Sequence, residues 1–187
     1  MSLLSTFKKF VYNSTVKKQL KSKTSFKKKA VSYDAAKYIA LLFDASDTKL
    51  QSKILQYADT LTRKGKIVKI FAYINQTAKE KAPLPFEYIN KNDLNWFGVP
   101  KQHTIDKFLS AQYDILINMS FDAVPALEYV ATLAQAHLKV APYQAQNLGY
   151  DLLIDLNNSR DVEQFIHQAE LFMSKLTTSQ QHEKNYI

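Results

Sequence analysis

The sequence predicts a three-layer α/β/α domain built on a mostly parallel sheet of five or six strands. Three observations lead there. From residue 38 onward, short apolar runs alternate with stretches of helical periodicity, which is the pattern of strand–helix–strand units. The first of those runs, Tyr38-Ile39-Ala40-Leu41-Leu42-Phe43, is apolar throughout, as suits a central strand covered on both faces. A chain of 187 residues with 46% hydrophobic content can also bury one sizeable core without cross-links. It has to, because it contains no cysteine.

The elements follow in order. The first strand, 38–43, ends at Asp44, and Ser46 or Asp47 stands where a helix needs an N-cap. That helix turns Leu50, Ile54, Tyr57, Ala58 and Leu61 inward, and Gly65 supplies its left-handed stop. A second strand from Ile67 to Ile74 completes the unit. Further apolar runs at Ile115-Leu116-Ile117, at 139–143 and at Leu152-Leu153-Ile154 predict three more strands. Thr104 is placed to cap a short helix carrying Ile105, Phe108 and Leu109. Asp122 precedes a helix with Pro125 in its first turn and Leu127, Val130, Ala131 and Ala134 inward. Ser159 opens the last helix, whose inner face is Val162, Phe165, Ile166, Ala169 and Met173, and the polar stretch beyond Leu176 reads as a fraying tail.

Residues 75–100 fit this alternation poorly. They hold Pro83, Pro85 and Pro100, one candidate strand at Phe86-Glu87-Tyr88-Ile89, and the only tryptophan. Long connections inside compact domains often carry function, and the plainer reading has Trp96 and Phe97 covering a sheet edge or the end of the core. The organisation is therefore an N-terminal arm at 1–30, one α/β domain at 31–176 of Rossmann-like or flavodoxin-like topology, and a polar tail at 177–187.

Charge separates the arm from the domain. Nine of the 25 basic residues are lysines in the first 30 positions, which contain no acid, so the rest of the chain carries 16 basic against 17 acidic residues. The net charge of +8 belongs to the arm. Leu3, Leu4, Phe7, Phe10 and Val11 recur there at helical spacing beside Lys8 and Lys9, which predicts a basic amphipathic helix. Those two lysines also interrupt the apolar stretch that a secretory signal needs, and no later run has the length of a membrane span. The expected setting is cytoplasmic, with the arm either packed on the domain or docked peripherally at the inner face of the membrane. Lys8, Lys9, Lys17, Lys18, Lys27, Lys28 and Lys29 are the candidate docking residues, toward an anionic bilayer, an acidic protein or RNA. Only two arginines occur, Arg63 and Arg160, and neither is in the arm, so sequence-specific reading of nucleic acid is not expected.

The segments Leu41-Leu42-Phe43-Asp44-Ala45, Gly65-Lys66-Ile67-Val68, Asp93-Leu94-Asn95-Trp96-Phe97-Gly98-Val99-Pro100, Tyr113-Asp114-Ile115-Leu116-Ile117-Asn118 and Asp151-Leu152-Leu153-Ile154-Asp155-Leu156 together resemble a family of small uncharacterised proteins. That family is a domain of unknown function from Bacteroidetes-type bacteria. The resemblance spans most of residues 1–176, with Asp-Leu-Asn-Trp-Phe-Gly as its most specific piece. It implies a bacterial, cytoplasmic protein and assigns no activity or catalytic residue.

Common chemistries are poorly represented. Without cysteine there is no thiol nucleophile, redox pair, iron–sulfur cluster or cysteine-bound zinc. The glycines Gly65, Gly98 and Gly149 are isolated, so neither the dinucleotide fingerprint nor the P-loop is present. His103, His137, His167 and His182 are not spaced as a metal-binding pair, and no nucleophile elbow occurs. No cofactor is predicted. A site must come from topology, because ligands of open parallel sheets bind outside the carboxyl ends of the strands. The polar residues expected there are Asp44, Ser46, Asn75, Asn118, Ser120 and Asp155. Two functions follow: a non-catalytic binding or adaptor protein docking through its arm, or a small-molecule-binding protein or enzyme using the carboxyl edge.

Overall fold

The structure, a computed structural model, describes residues 14–15, 26–77, 83–143 and 149–184, with side chains as far as Leu176. The helix expected over residues 3–11, with Lys8, Lys9, Lys17 and Lys18, lies outside the described residues. Strand β1 (Tyr38–Asp44) leads to α1 (Thr48–Arg63), β2 (Ile67–Ile74) and β3 (Glu87–Asn90). Two 3-10 turns, Lys91–Asp93 and Gln102–Thr104, precede α2 (Asp106–Leu109) and β4 (Gln112–Asn118). The chain then forms α3 (Pro125–Leu133), β5 (Gln135–Pro142), β6 (Leu152–Ile154) and α4 (Val162–Lys184).

All six strands are parallel, in the order β3-β2-β1-β4-β5-β6. That is the Rossmann order, not the flavodoxin one. β1 occupies the middle that its unbroken apolar run predicts, with Ile39 to Phe43 fully buried. Each of the four larger side chains, Ile39, Leu41, Leu42 and Phe43, contributes about 1.5–3 kcal/mol by leaving water. Strand alternation divides them between two cores: Ile39, Leu41 and Phe43 meet α1 and α4 on one face, while Ala40 and Leu42 meet α2 and α3 on the other.

The local signals are partly corrected. Asp47, not Ser46, caps α1 by accepting from the Lys49 N–H at 2.8 Å, and Gly65 follows with φ +78°. Thr104 does not cap α2. Its hydroxyl donates to the Lys101 carbonyl within a 3-10 turn, and Ile105 begins α2 without a side-chain cap. β5 begins at Gln135, four residues before the expected run, because Gln135, His137 and Lys139 break the apolar pattern without breaking the strand. Lys139 is buried there, its ammonium donating to the carbonyls of Ala131 (2.7 Å) and Thr132 (3.1 Å) at the end of α3, which suits a cation at a helix C-terminus. α4 carries on to Lys184, past Leu176, so the helical backbone extends into the stretch expected to fray.

Phe97 is half-buried against the second core, whereas Trp96, its ring 5.7 Å from that of Phe97, stands 65% exposed on a tight turn. The turn is closed by the Leu94 and Pro100 bridge, by Asn95 N–H to the Val99 carbonyl, and by the Asn95 side chain, which accepts from Phe97 and Val99. Gly98 (φ +79°) permits it.

Residues 26–37 strap the amino edge of the sheet. Phe26 stacks on His137 at 4.8 Å, Lys28 pairs with Asp151 at 2.5 Å, and the Lys29 N–H donates to His137 Nδ1 at 3.3 Å. The hydroxyl of Tyr33 reaches across to Glu170 on α4, where Tyr57 of α1 also donates at 3.1 Å. Burial above all, with the Glu170 charge adding, raises both phenols, so both remain protonated donors. Finally the Lys37 and Tyr38 N–H groups donate to Asp114 Oδ2 at 2.7 and 2.9 Å, fixing the start of β1 beside β4.

Candidate functional site

In this strand order the direction of winding reverses between β1 and β4, and their carboxyl ends diverge to leave a crevice. A cleft of about 490 Å³ lies there, lined by Asp44, Ser46, Asp47 and Leu50 after β1 and by Ser120, Phe121, Asp122 and Val124 after β4. Arg160, just ahead of α4, closes one side. The two walls are tied at their base. The Met119 N–H donates to the Leu42 carbonyl at 2.7 Å, and on the far side of β1 the Ala45 N–H donates to the Tyr73 carbonyl of β2 at 2.7 Å.

The β1 wall is a local network. Asp44 Oδ1 accepts from the Ser46 N–H (3.0 Å) and hydroxyl (2.5 Å), and that hydroxyl accepts from the Asn75 N–H at 2.8 Å. Ser46 thus hands the end of β2 to the end of β1. The charge of Asp44, second to burial, also pushes the Tyr73 phenol up. On the opposite wall Arg160 pairs with Asp122, and that hydrogen bond, followed by the attraction itself, raises the guanidinium further. Phe121 sits edge-on to Phe165 of α4, centroids 6.2 Å apart, which anchors the wall to the core.

The electrostatics of the lining are acidic. Three carboxylates, Asp44, Asp47 and Asp122, face one guanidinium that Asp122 already engages. The first turn of α1 gives no vacant anion site, because Asp47 accepts from it. Hydroxyls, amides or an amine are the groups such a lining can hydrogen-bond. Among the described residues no three histidine or acidic side chains are grouped to hold a metal ion.

Of the six residues expected at the carboxyl edge, four gather at the cleft and two do not. Asp44, Ser46 and Ser120 line the cleft, and Asn75 adjoins it through its backbone. Asn118 is buried on the other face, since strand alternation turns it toward α3. There its amide donates to Glu128 Oε1 (3.1 Å) and to the Tyr150 hydroxyl (2.7 Å), while Tyr150 donates to the same Glu128 oxygen at 3.1 Å. Burial raises the Glu128 carboxyl, and these two donors oppose the rise. Asn118 Oδ1 accepts from the Ser120 N–H at 3.1 Å, so this triangle supports the cleft floor from behind. Asp155 follows β6, three strands from β1, or roughly 14 Å at about 4.8 Å per strand. It is exposed and accepts from the Asn157 N–H at 2.9 Å, so Asp44 and Asp155 do not form a carboxylate pair. Of the expected docking lysines, Lys28 is ion-paired and Lys27 and Lys29 are exposed.

Sequence reasoning missed Asp122 and Arg160 as partners and Phe121, Glu128 and Tyr150 as supports. One signal was available for Arg160: a helix that follows β6 must begin at the carboxyl edge, so residues just before Val162 belong there.

Among the described residues no helix is long and apolar enough to cross a membrane. A model for a family of unknown function, DUF6913, matches residues 8–176. No curated protein and no solved structure matches the chain.

Proposed function

As the chain belongs to DUF6913, a family of unknown function, and membership carries no activity with it, we propose from geometry that it binds a small polar molecule in the cleft between β1 and β4. The carrying observation is the coincidence of a cleft of about 490 Å³ with the crevice where open parallel sheets bind their ligands. The ligand is hydroxyl-rich or cationic and carries no phosphate. Three carboxylates repel a phosphate, and no glycine-rich loop brings backbone N–H groups to one. Binding is the function; the lining supports no particular reaction.

A thermal-shift screen tests this with nucleosides, sugars, small amines and the matching phosphates. At a hundred times its Kd a bound ligand adds about 2.7 kcal/mol, or about 5–10 °C for a chain of this size. A nucleoside, sugar or amine raises the Tm, the rise disappears in Asp122→Asn, and no phosphate matches it. Phosphates as the strongest stabilisers, or no shift with any compound, would overturn the reading.

A second reading is favoured by where the arm joins the domain. Residues 26–37 cross the amino edge, opposite the cleft, so docking through the lysine-rich arm leaves the cleft facing outward. This is a binding or adaptor role in the cytoplasm, at the inner face of the membrane.

A further inference from the structure

Tyr38 and Ile67 start adjacent central strands and are register partners, so their side chains stand side by side on one face of the sheet. By alternation with Ala40 and Phe71 that face is the one covered by α2 and α3. Here the cover runs out. α2 packs on β2 through Phe108 against Phe71 but lasts a single turn, and Tyr38 and Ile67 remain 50% and 55% exposed. Two adjoining large apolar side chains at the amino edge of a sheet core are a patch, not scattered surface residues.

The edge that carries the patch is basic along its length. Lys27, Lys29 and Lys37 are exposed on the strap that crosses the same edge, and they make no ion pair among the described residues. Most acids of that edge are already engaged. Asp114 accepts the Lys37 and Tyr38 N–H groups, Asp151 holds Lys28, and Glu87 lies between Lys69 (2.6 Å) and Lys107 (2.7 Å). Asp34 is the exposed acid that opposes the lysines. The strap is also where the N-terminal arm, with six further lysines and no acid, joins the domain.

We propose that the amino edge of the domain is itself a membrane-contacting surface, with Tyr38 and Ile67 entering the headgroup region of an anionic bilayer and Lys27, Lys29 and Lys37 lying against its phosphates. The inference rests on the docking reading and deepens it, since it assigns part of the contact to the folded domain. An apolar pair with Lys37 beside it and Lys27 and Lys29 further along the same edge matches the chemistry of such an interface, where a half-buried tyrosine and an aliphatic side chain gain by leaving water while each lysine gains from the anionic surface. RNA is the poorer fit, because Ile67 has no part in phosphate or base contact.

The test uses the full chain in sedimentation with vesicles of phosphatidylcholine containing phosphatidylserine, with pure phosphatidylcholine vesicles and single-stranded RNA in parallel. The unaltered chain binds the anionic vesicles alone. Because both side chains are exposed, the double variant Tyr38→Ser/Ile67→Ser stays folded by circular dichroism, and it partitions roughly tenfold less. Trp96→Ser, a comparably exposed apolar residue on the turn after β3, partitions like the unaltered chain. Undiminished binding by the double variant, or an equal loss in Trp96→Ser, overturns this inference and leaves docking by the arm standing. No vesicle binding by the unaltered chain, or RNA bound in preference, overturns both.

Discussion

At the amino edge of the sheet, Asp114, Asp151 and Glu170 accept from groups 77, 123 and 137 residues away. At the carboxyl edge, Asp44, Asp47 and Asp155 each accept from the N–H just two residues further on. The same side-chain type therefore does two jobs. Long-range acceptors fasten strap, strands and helices to one another, whereas short-range acceptors shape one turn and leave the rim open above it. Long-range fastening by carboxylates is thus mostly at the amino edge, and at the carboxyl edge it is found where Asp122 on the cleft wall accepts from Arg160, 38 residues away.

The contrast is sharpest at Tyr57, whose ring is buried and whose hydroxyl joins Tyr33 at Glu170. Tyr57→Ala should cost about 3–5 kcal/mol in denaturant unfolding, and Tyr57→Phe about 1 kcal/mol. A Tyr57→Phe variant as unstable as Tyr57→Ala would mean that the hydroxyl network, rather than ring packing, holds the strap.

A paired comparison follows at the strand ends. Asp114→Ala removes an ionised acceptor from two backbone N–H groups and should cost about 2 kcal/mol, while Asp155→Ala, at an exposed turn, should stay within about 0.5 kcal/mol. Equal losses in chemical denaturation would erase the division between the edges.

The smallest effect is in the pH dependence. Burial works to raise the Glu87 carboxyl, but the hydrogen bonds and charges of Lys107 and Lys69 outweigh it and hold the group below the ordinary value of 4.5. Its contribution to stability is present above that value and is lost as pH falls through the folded one. Glu128 is the reverse, raised by burial: its contribution is present below the ordinary value and is lost as pH rises through the folded one. Relative to the unaltered chain, Glu87→Gln and Glu128→Gln should therefore tilt the stability profile in opposite directions, the first on the acid side of the ordinary carboxyl value of 4.5 and the second on its alkaline side. Profiles tilting the same way would contradict these two environments.

Much of the fold was legible in the sequence because a strand buried on both faces needs an unbroken apolar run, as in Tyr38 to Phe43. It failed where a polar side chain serves a distant backbone. The expected strand at 139–143 omits Gln135 to Leu138, whose polar Gln135 and His137 hide the start of β5, and nothing local shows that Lys139 is to serve the end of α3. The site was legible as a region, since the strand ends carry Asp44, Ser46 and Ser120. Its membership was not, because the Asp122 and Arg160 pair joins positions 38 residues apart. Asn118 shows a different limit. Its place at a strand end was evident, but the one-residue step that decides between cleft and core depends on register.

The central place of β1 bears on how the chain is made. Its first partner, β2, follows within a single helix, but the other side of β1 waits for β4, whose Asp114 lies 76 residues beyond Tyr38. At a synthesis rate of about 5–20 residues per second, that interval is about 4–15 s. During it the nascent protein carries an apolar strand with one edge unpaired. Folding on the ribosome therefore has an exposed phase in which holdase chaperones have a hydrophobic strand to bind, and it closes when β4 emerges.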